Sequence, residues 1–434
     1  MSDPADPSAG AGDAAPAPLR RNRDFLLLWG GVGLTLLGAR ACVVAYPFLV
    51  LWKTGEARDA GLVGFAGLLP NLLVQLPAGA LVDRWDRRRL MIVCDVGAVL
   101  VAGSVAAAVL ADRIGLAHLV AAAFVESTLA VFYQLAERAA VRHVVPAEQL
   151  SAALGQNEAR WRAAGLLGQP LGGLLYTAAR WAPFLFSAVT HVLSLLALLP
   201  IRTRLQSEPD GPRPPLVAEL REGLDWTWRR RFLRVLVSLI AGTNLLFQVI
   251  SLTLVLIVRE NGGSATTLGL VTAAGGIGGT VGALTGMRAA RRVPLRAVVA
   301  GGTALWAVLV PVLALTGSPV LLGAVMAAMA YVGGLTNVAG GVYQVTITPE
   351  RMQGRVSSLI QLLAFGTGSF GALAGGYLLD GLGVTRTLGL IAVAMAVLAL
   401  FAAVSPALRH PDRVPAETDL PAGEPAAAGY MDAV

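Results

Sequence analysis

The chain has 434 residues, of which 55% are hydrophobic and only 14% charged, with a mean hydropathy of +0.66 and a net charge of +7. An ordinary soluble domain carries roughly 25% charged residues, and this chain has too few polar side chains to coat a water-soluble globule of its size. The two cysteines, Cys42 and Cys94, lie within apolar runs and show no CxxC or Cys/His spacing, which speaks against a disulfide framework and against any metal site.

In chain order, residues 1–19 are rich in Ala, Pro, Asp and Gly and lack an apolar core, the composition of a disordered tail and not of a signal peptide. Twelve apolar runs follow, at 25–51, 60–81, 90–111, 115–141, 148–178, 181–201, 232–258, 266–287, 294–316, 319–345, 352–380 and 385–408. Each is near or above the roughly 20 residues needed to cross about 30 Å of hydrocarbon. None shows the period-2 alternation of barrel strands, so all are expected to be helices. The longest internal loop, 202–231, opens with Pro209, Pro212, Pro214 and Pro215. Leu216, Leu220, Leu224 and Trp228 then recur at four-residue spacing among Glu219, Arg221, Glu222 and Asp225, the pattern of an amphipathic helix at the membrane surface. Residues 409–434 resemble the first tail in composition. The expected organisation is an all-α membrane protein: a tail (1–19), a six-helix bundle (20–201), a cytoplasmic linker (202–231), a second six-helix bundle (232–408) and a second tail (409–434).

The basic residues sit in short loops and not in one patch, so no nucleic-acid partner is expected; Lys53 is the only lysine. With the N-terminus in the cytoplasm, the inside receives Arg20, Arg21, Arg23, Arg84, Arg87, Arg88, Arg89, Arg142, the arginines from Arg202 through Arg234, Arg288, Arg291, Arg292, Arg296, Arg351, Arg355, Arg409 and Arg413. The outside keeps Lys53, Arg58, Arg113, Arg180, Arg259 and Arg386. This asymmetry predicts that both termini are cytoplasmic, in a multi-pass protein of a bacterial-type inner membrane.

The halves are related. A shift of 203 residues places Gly79-Ala80-Leu81 on Gly282-Ala283-Leu284, Arg88-Arg89 on Arg291-Arg292, Pro146 on Pro349, Gly168 on Gly371, and Gly172-Gly173 on Gly375-Gly376. Parallel six-span repeats of this kind are known among secondary transporters.

The loop Gly79-Ala-Leu-Val-Asp83-Arg84-Trp-Asp86-Arg87-Arg88-Arg89 resembles the G-x-L-a-D-R-x-G-R-R motif of the major facilitator superfamily. The resemblance implies a conformational latch. Gly79 would let two helices approach, Asp83 would sit at a helix N-terminus of the other half, and Arg84, Arg87 and Arg88 would pair with acids on neighbouring helices. The alternative is a basic loop serving only topology. Asp86 replaces the motif's usual glycine, and the second copy has Gly286 in place of the acid, so only the first copy can form the latch. In the fifth span, Gly165-Leu-Leu-Gly168-Gln169-Pro170-Leu-Gly172-Gly173 is similar to the glycine-proline motif of the superfamily's proton-coupled exporters, with Gln169 intervening. Close helix packing and a specific role in antiport are both open readings of it. The stretch from Glu137 to Leu150, with Pro146 and Glu148, and its counterpart from Ile347 to Ser357 look like the matching connections of the drug and siderophore exporter branch.

Charges within spans face cavities and mark function. Here they are Arg40, Asp95, Glu126, Glu158, Arg160 and Arg162, all in the first half. Arg40 and Glu126 each lie about ten residues from the outer end of their spans and so at similar depth. Glu126 reads either as a titrating, transport-coupled carboxylate or as half of a structural ion pair with Arg40. Glu158 and Arg162 can pair at four-residue spacing. Asp95 reads first as a structural partner near the Arg84–Arg89 loop and, with Glu158 and Arg162, as a further proton-coupling candidate after Glu126 and Arg40; His191 reads as a hydrogen-bonded span residue and not a relay. His118 is expected near the outer surface. In the second half Asn244, Gln248, Asn337, Tyr343, Gln344 and Gln361 are candidates for the wall of a substrate cavity.

These features point to a monomeric secondary transporter working by alternating access in the lipid bilayer, without a cofactor. No GxxxxGK[ST] is present, which argues against an ATP-driven pump. The family resemblance implies proton-coupled efflux of amphiphilic small molecules, a multidrug-type antiporter. Proton-coupled uptake of a nutrient or metabolite uses the same architecture. A membrane enzyme or a transport-dead sensor is disfavoured, because no His-acid or Cys-His constellation stands out and the loop motif is intact.

Overall fold

The computed structural model describes residues 19–201, 203, 205–206, 224–348 and 350–409. Its helices are α1 (Arg23–Thr54), α2 (Ala57–Leu73), α3 (Gln75–Arg84), α4 (Arg87–Leu110), α5 (Leu116–Val144), α6 (Leu150–Ala178) and α7 (Ala182–Leu198). The second half holds α8 (Arg231–Glu260), α9 (Ala265–Arg292), α10 (Leu295–Ala314), α11 (Pro319–Ile347), α12 (Glu350–Val404) and the short α13 (Pro406–Arg409). Eight helices are long and apolar enough to cross a membrane. One of them, α12, contains a break at Gly383 (φ 72°, ψ 175°), a conformation open to glycine, and so supplies two spans. The α2/α3 pair, the charge-bearing α6 and the 17-residue α7 complete twelve. The sequence pattern places a loop between spans 11 and 12; the chain turns instead at a single residue.

Local chemistry explains the ends and the breaks. Asn22 caps α1 by accepting from the Phe25 amide at 3.0 Å. Asp86, where the motif has glycine, caps α4 by accepting from the Arg89 amide at 2.8 Å, so the acid starts the helix. The second span breaks at Val74 because Pro77 has no N–H for the Leu73 carbonyl. Of the expected amphipathic helix, residues 224–229 are helical, and the Arg230 guanidinium lies 3.7 Å from the Trp226 ring centre. The rest of that helix and both expected disordered tails lie outside the described residues.

Helix pairing repeats between halves. In the first half α2 packs on α5, α4 on α7, and α1 on α6 and α7. In the second, α9 packs on α11, α10 on α12, and α8 on α12. Across the halves α2 meets α12, and α6 meets α9. We call the end where α1 begins and α12 finishes the terminal end, and the opposite one the distal end. At the distal end one apolar core takes residues from both halves, among them Val50, Leu51, Val255, Val258 and Val310. Toward the terminal end there are two separate cores. One is built on Phe25, Met91, Val141 and Leu198, the other on Phe232, Leu233, Val299 and Ala402. The halves are thus fused distally and individually packed near the termini.

Candidate functional site

Helices α1, α4, α5 and α7 surround a cavity of about 40 Å³ whose wall includes Thr35, Cys94, Glu126, Tyr133, Gln134 and His191. Two hydrogen-bond clusters reach it. In the first, the Tyr46 hydroxyl donates to Glu126 Oε2 at 2.8 Å, and the Phe184 ring stands edge-on to Tyr46 at 5.1 Å. In the second, Asp95 is fully buried; Ser194 Oγ donates to its Oδ2 at 2.9 Å, and His191 Nδ1 lies 2.8 Å from its Oδ1. The Tyr133 hydroxyl meets Ser194 Oγ at 2.8 Å. An ionised carboxylate only accepts, so Nδ1 of His191 carries the proton when Asp95 is charged. Both oxygens of Asp95 are satisfied, as a charge held away from water requires.

A third cluster lies closer to the terminal end. Arg160 and Glu137 form an ion pair at 3.0 Å, with side chains 5% and 7% exposed. Asn157 donates to the same Glu137 oxygen at 3.3 Å, and Arg160 also donates to the Trp29 carbonyl at 3.1 Å. This pair ties α1, α5 and α6 together. Glu137→Gln leaves the Arg160 charge buried without its counter-ion, an arrangement that costs about 3–5 kcal/mol. Purified Glu137→Gln protein is therefore expected to unfold well below the parent in a detergent thermal melt. An unchanged melting temperature counts against this assignment.

The structure reassigns several charges. Glu126 and Arg40 do not form the ion pair that was one of the two readings; Glu126 takes Tyr46, and the Arg40 guanidinium lies over Trp161 at 4.4 Å. Equal depth on two helices did not place the side chains on facing sides. Asp95 is not a partner of the basic loop. It belongs to the His191–Ser194 cluster, because α4 presents it to α7. Glu158 and Arg162 do pair, at 2.8 Å, but with 63% and 52% exposure they lie on the open face of α6 and are not buried. His118 meets Ser104 at 3.0 Å in an exposed position.

The basic loop also differs from expectation. The Asp83 side chain lies outside the described residues, and Arg84 is exposed. Arg87 donates to the Leu205 carbonyl at 3.0 Å, and Arg88 to the carbonyls of Leu198 and Leu199 at 3.2 and 2.5 Å. Arg88 thus finds main-chain carbonyls at the end of α7 in place of acids, since the last turn of a helix leaves carbonyls free and carries partial negative charge. No described atom crowds Gly79, so the close approach expected there is not made in this conformation.

Three glycines of α6 pack closely against other helices. Gly168 and Gly172 leave no room for a Cβ against α1; of their repeat mates, Gly371 is closed off by α8 in the same way and Gly375 sits tightly against Val249 of α8. Gly173 meets the start of α9 at Ala265 and Thr266, and its mate Gly376 meets the start of α2 at Ala57 and Arg58. One turn on, the relation continues. Thr177 Oγ1 accepts from the Thr266 amide at 3.3 Å. Asp380, 203 positions later, accepts from the amides of Ala57 and Arg58 at 2.7 and 3.0 Å. Each half thereby caps a helix N-terminus of the other at the distal end. Pro170 abuts Gly269, while Gly165 is uncrowded.

In the second half the polar candidates do not converge. Asn244 bonds its own helix at the Ile240 carbonyl (2.9 Å), and Gln344 bonds Ser357 at 3.1 Å. Tyr343 packs at a tilt against Phe232, ring centres 4.5 Å apart. Gln248 is half-buried, and Asn337 and Gln361 are exposed. Sequence reasoning missed Tyr46, Tyr133, Ser194, Glu137 and Asp380 as site or closure residues. Only Glu137 carried a usable signal, an acid inside the predicted fourth span.

Comparison with known proteins agrees with this architecture. The family model described as transmembrane secretion effector matches residues 13–428. The multidrug efflux pump Tap of Mycobacterium tuberculosis is 29% identical over 419 residues, covering 93% of this chain and 98% of that protein. Its namesake from Mycolicibacterium fortuitum is 30% identical over 382 residues, 85% and 92% of the two chains. The crystal structure of a bacterial homolog of the human lysosomal transporter Spinster, inward-facing and unoccupied, superposes with a TM-score of 0.69. It covers 88% of this chain and 96% of that one at 15% identity, which shows the fold alone. The twelve-span repeat and a match running almost from end to end place this chain in the transmembrane secretion effector family of the major facilitator superfamily.

Proposed function

We propose that the protein exports amphiphilic small molecules across a bacterial inner membrane in exchange for protons, as a monomer and by alternating access, with both termini and the 202–231 linker cytoplasmic. The observation that carries this reading is the uneven closure of the two halves, which share one core distally and have separate cores near the termini. Such an arrangement opens a path from mid-membrane to the terminal side, and rocking about it exposes the site to the other side. The names of the relatives support efflux, and the arginine asymmetry supports the orientation. Glu126 is the proton carrier in this scheme, with Arg40 as a positive charge whose neighbour changes between states. Gln248, Asn337 and Gln361 contribute polar points to an otherwise apolar wall, which suits substrates with few fixed charges. Asp83 is the latch of the opposite state. The protein acts as a carrier, not as an enzyme.

Inverted membrane vesicles with an acid interior test this directly, using a panel of dyes, antibiotics and siderophores. At least one compound is expected to accumulate inside, and nigericin, which collapses the pH gradient, should release it. Accumulation confined to right-side-out vesicles would favour the uptake reading instead.

A further inference from the structure

We propose that Asp95 and His191 form a second proton-binding station, which exchanges protons with Glu126 through the cavity that both share. The inference rests on the transport reading above and adds a site to it.

Position makes the case first. Glu126 and His191 line the same cavity, whose volume of about 40 Å³ is room for about three water molecules at about 10–15 Å³ each. Asp95 lies eight residues from the start of α4 at Arg87, and His191 seven from the end of α7 at Leu198. Glu126 lies eighteen from the end of α5 at Val144. At about 1.5 Å per residue the pair is about 10–12 Å from the terminal end and Glu126 about 27 Å. The pair therefore stands between Glu126 and the side to which a proton must leave during export.

Chemistry makes the case next. His191 Nδ1 is engaged by Asp95, and no hydrogen bond to Nε2 is formed among the described residues. A histidine so oriented can take a second proton at Nε2, with the carboxylate stabilising the imidazolium. Ser194 and Tyr133 hold Asp95 in place. In the transfer, the Glu126 O–H bond breaks and a cavity water accepts that proton. The water passes another proton to Nε2. Glu126 becomes a carboxylate and His191 an imidazolium, while the Nδ1–H stays on Asp95. The groups facing the pair are Thr35 from α1, Cys94 from α4, Glu126 and Tyr133 from α5, and Ser194 from α7, with Glu137 and Arg160 beyond Tyr133. Of these, Glu126, Cys94 and Tyr133 line the cavity together with His191.

Potentiometric titration of the purified full-length protein in detergent, between pH 8 and pH 5, needs no substrate. His191→Gln should bind about one proton fewer than the parent across this range. Asp95→Asn, which keeps the shape but removes the charge and turns one accepting oxygen into a donor, should lose the same proton. In Glu126→Gln the His191-dependent step should move along the pH axis. Ring-nitrogen NMR of histidine-labelled wild type, with four histidines in the chain, should show a histidine held through Nδ1 passing to the doubly protonated form. That measurement needs no variant to fold. A proton count unchanged in His191→Gln, or a histidine signal that stays neutral to pH 5, overturns the proposal. A His191 step indifferent to Glu126→Gln overturns the exchange with Glu126. Failure of the transport reading shows elsewhere: full gradient-driven accumulation by Glu126→Gln would remove Glu126 as carrier and leave the proton counts as they are.

Discussion

Glu126→Gln is expected to abolish gradient-driven accumulation while leaving substrate binding and passive exchange in place. Glutamine keeps the size of the side chain and an oxygen to accept from the Tyr46 hydroxyl, which now sits at 2.8 Å. Only the proton site is lost. One pH unit is worth about 1.4 kcal/mol, so a one-proton exchanger under a gradient of one unit can sustain about a tenfold concentration ratio. In the variant that ratio should fall to about one. Inverted vesicles loaded with a transported dye give the ratio directly, and binding to the purified variant gives the control. A variant that still concentrates the dye like the parent would send the search for the carrier to the Asp95–His191 pair. Tyr46→Phe, which removes the donor and keeps the carboxylate, should alter the pH profile of transport without abolishing it.

Asp380→Ala should open the distal side. In the present conformation its carboxylate takes the amides of Ala57 and Arg58 at the start of α2, from the other half of the molecule. That contact cannot survive separation of α2 from α12, so it belongs to one state only and biases the equilibrium. A lost N-cap costs about 0.5–2 kcal/mol, and 1–2 kcal/mol is a factor of about 5–30 in the ratio of two states. Asparagine also caps helices, so Asp380→Asn should fall between parent and alanine. Arg58→Ala should do less, because its 4.0 Å contact with Asp380 is half-exposed and such pairs contribute little. Spin labels at Arg113 and Ser318, on distal loops of opposite halves, report the change as growth of a longer-distance population. A distance distribution identical in parent and Asp380→Ala would show that the cap does not hold this side shut.

The closure also gives the internal repeat a physical meaning. The 203-residue shift was legible in glycines and arginines alone. What it encodes is a pair of matched crossings: Gly173 with Thr177 on the start of α9, and Gly376 with Asp380 on the start of α2. The two copies use different capping chemistry, a neutral hydroxyl in one and a charged carboxylate in the other. The sequence alignment carries the positions but not their targets, because each target lies in the opposite half.

Much of the architecture is a property of the sequence alone. The number of spans and the division into two halves follow from the length of apolar runs and from the placement of arginines. Each of these depends on a segment's own contact with lipid or water, not on its neighbours. Asp95 and Glu126 were legible too, since an acid within a span is costly wherever it points, whereas Glu137 and Asp380 were passed over. The partners of these charges were not legible. Rise per residue sets depth along a helix, but which side chains meet depends also on rotation, tilt and the faces that pack. Arg40 and Glu126 share a depth yet turn to Trp161 and Tyr46; Asp95 turns to His191; Glu137 meets Arg160. Which end of the molecule is shut was likewise decided only by tertiary structure, because one sequence must pack both ways for a carrier to work, and the contacts that distinguish the two packings join helices of opposite halves.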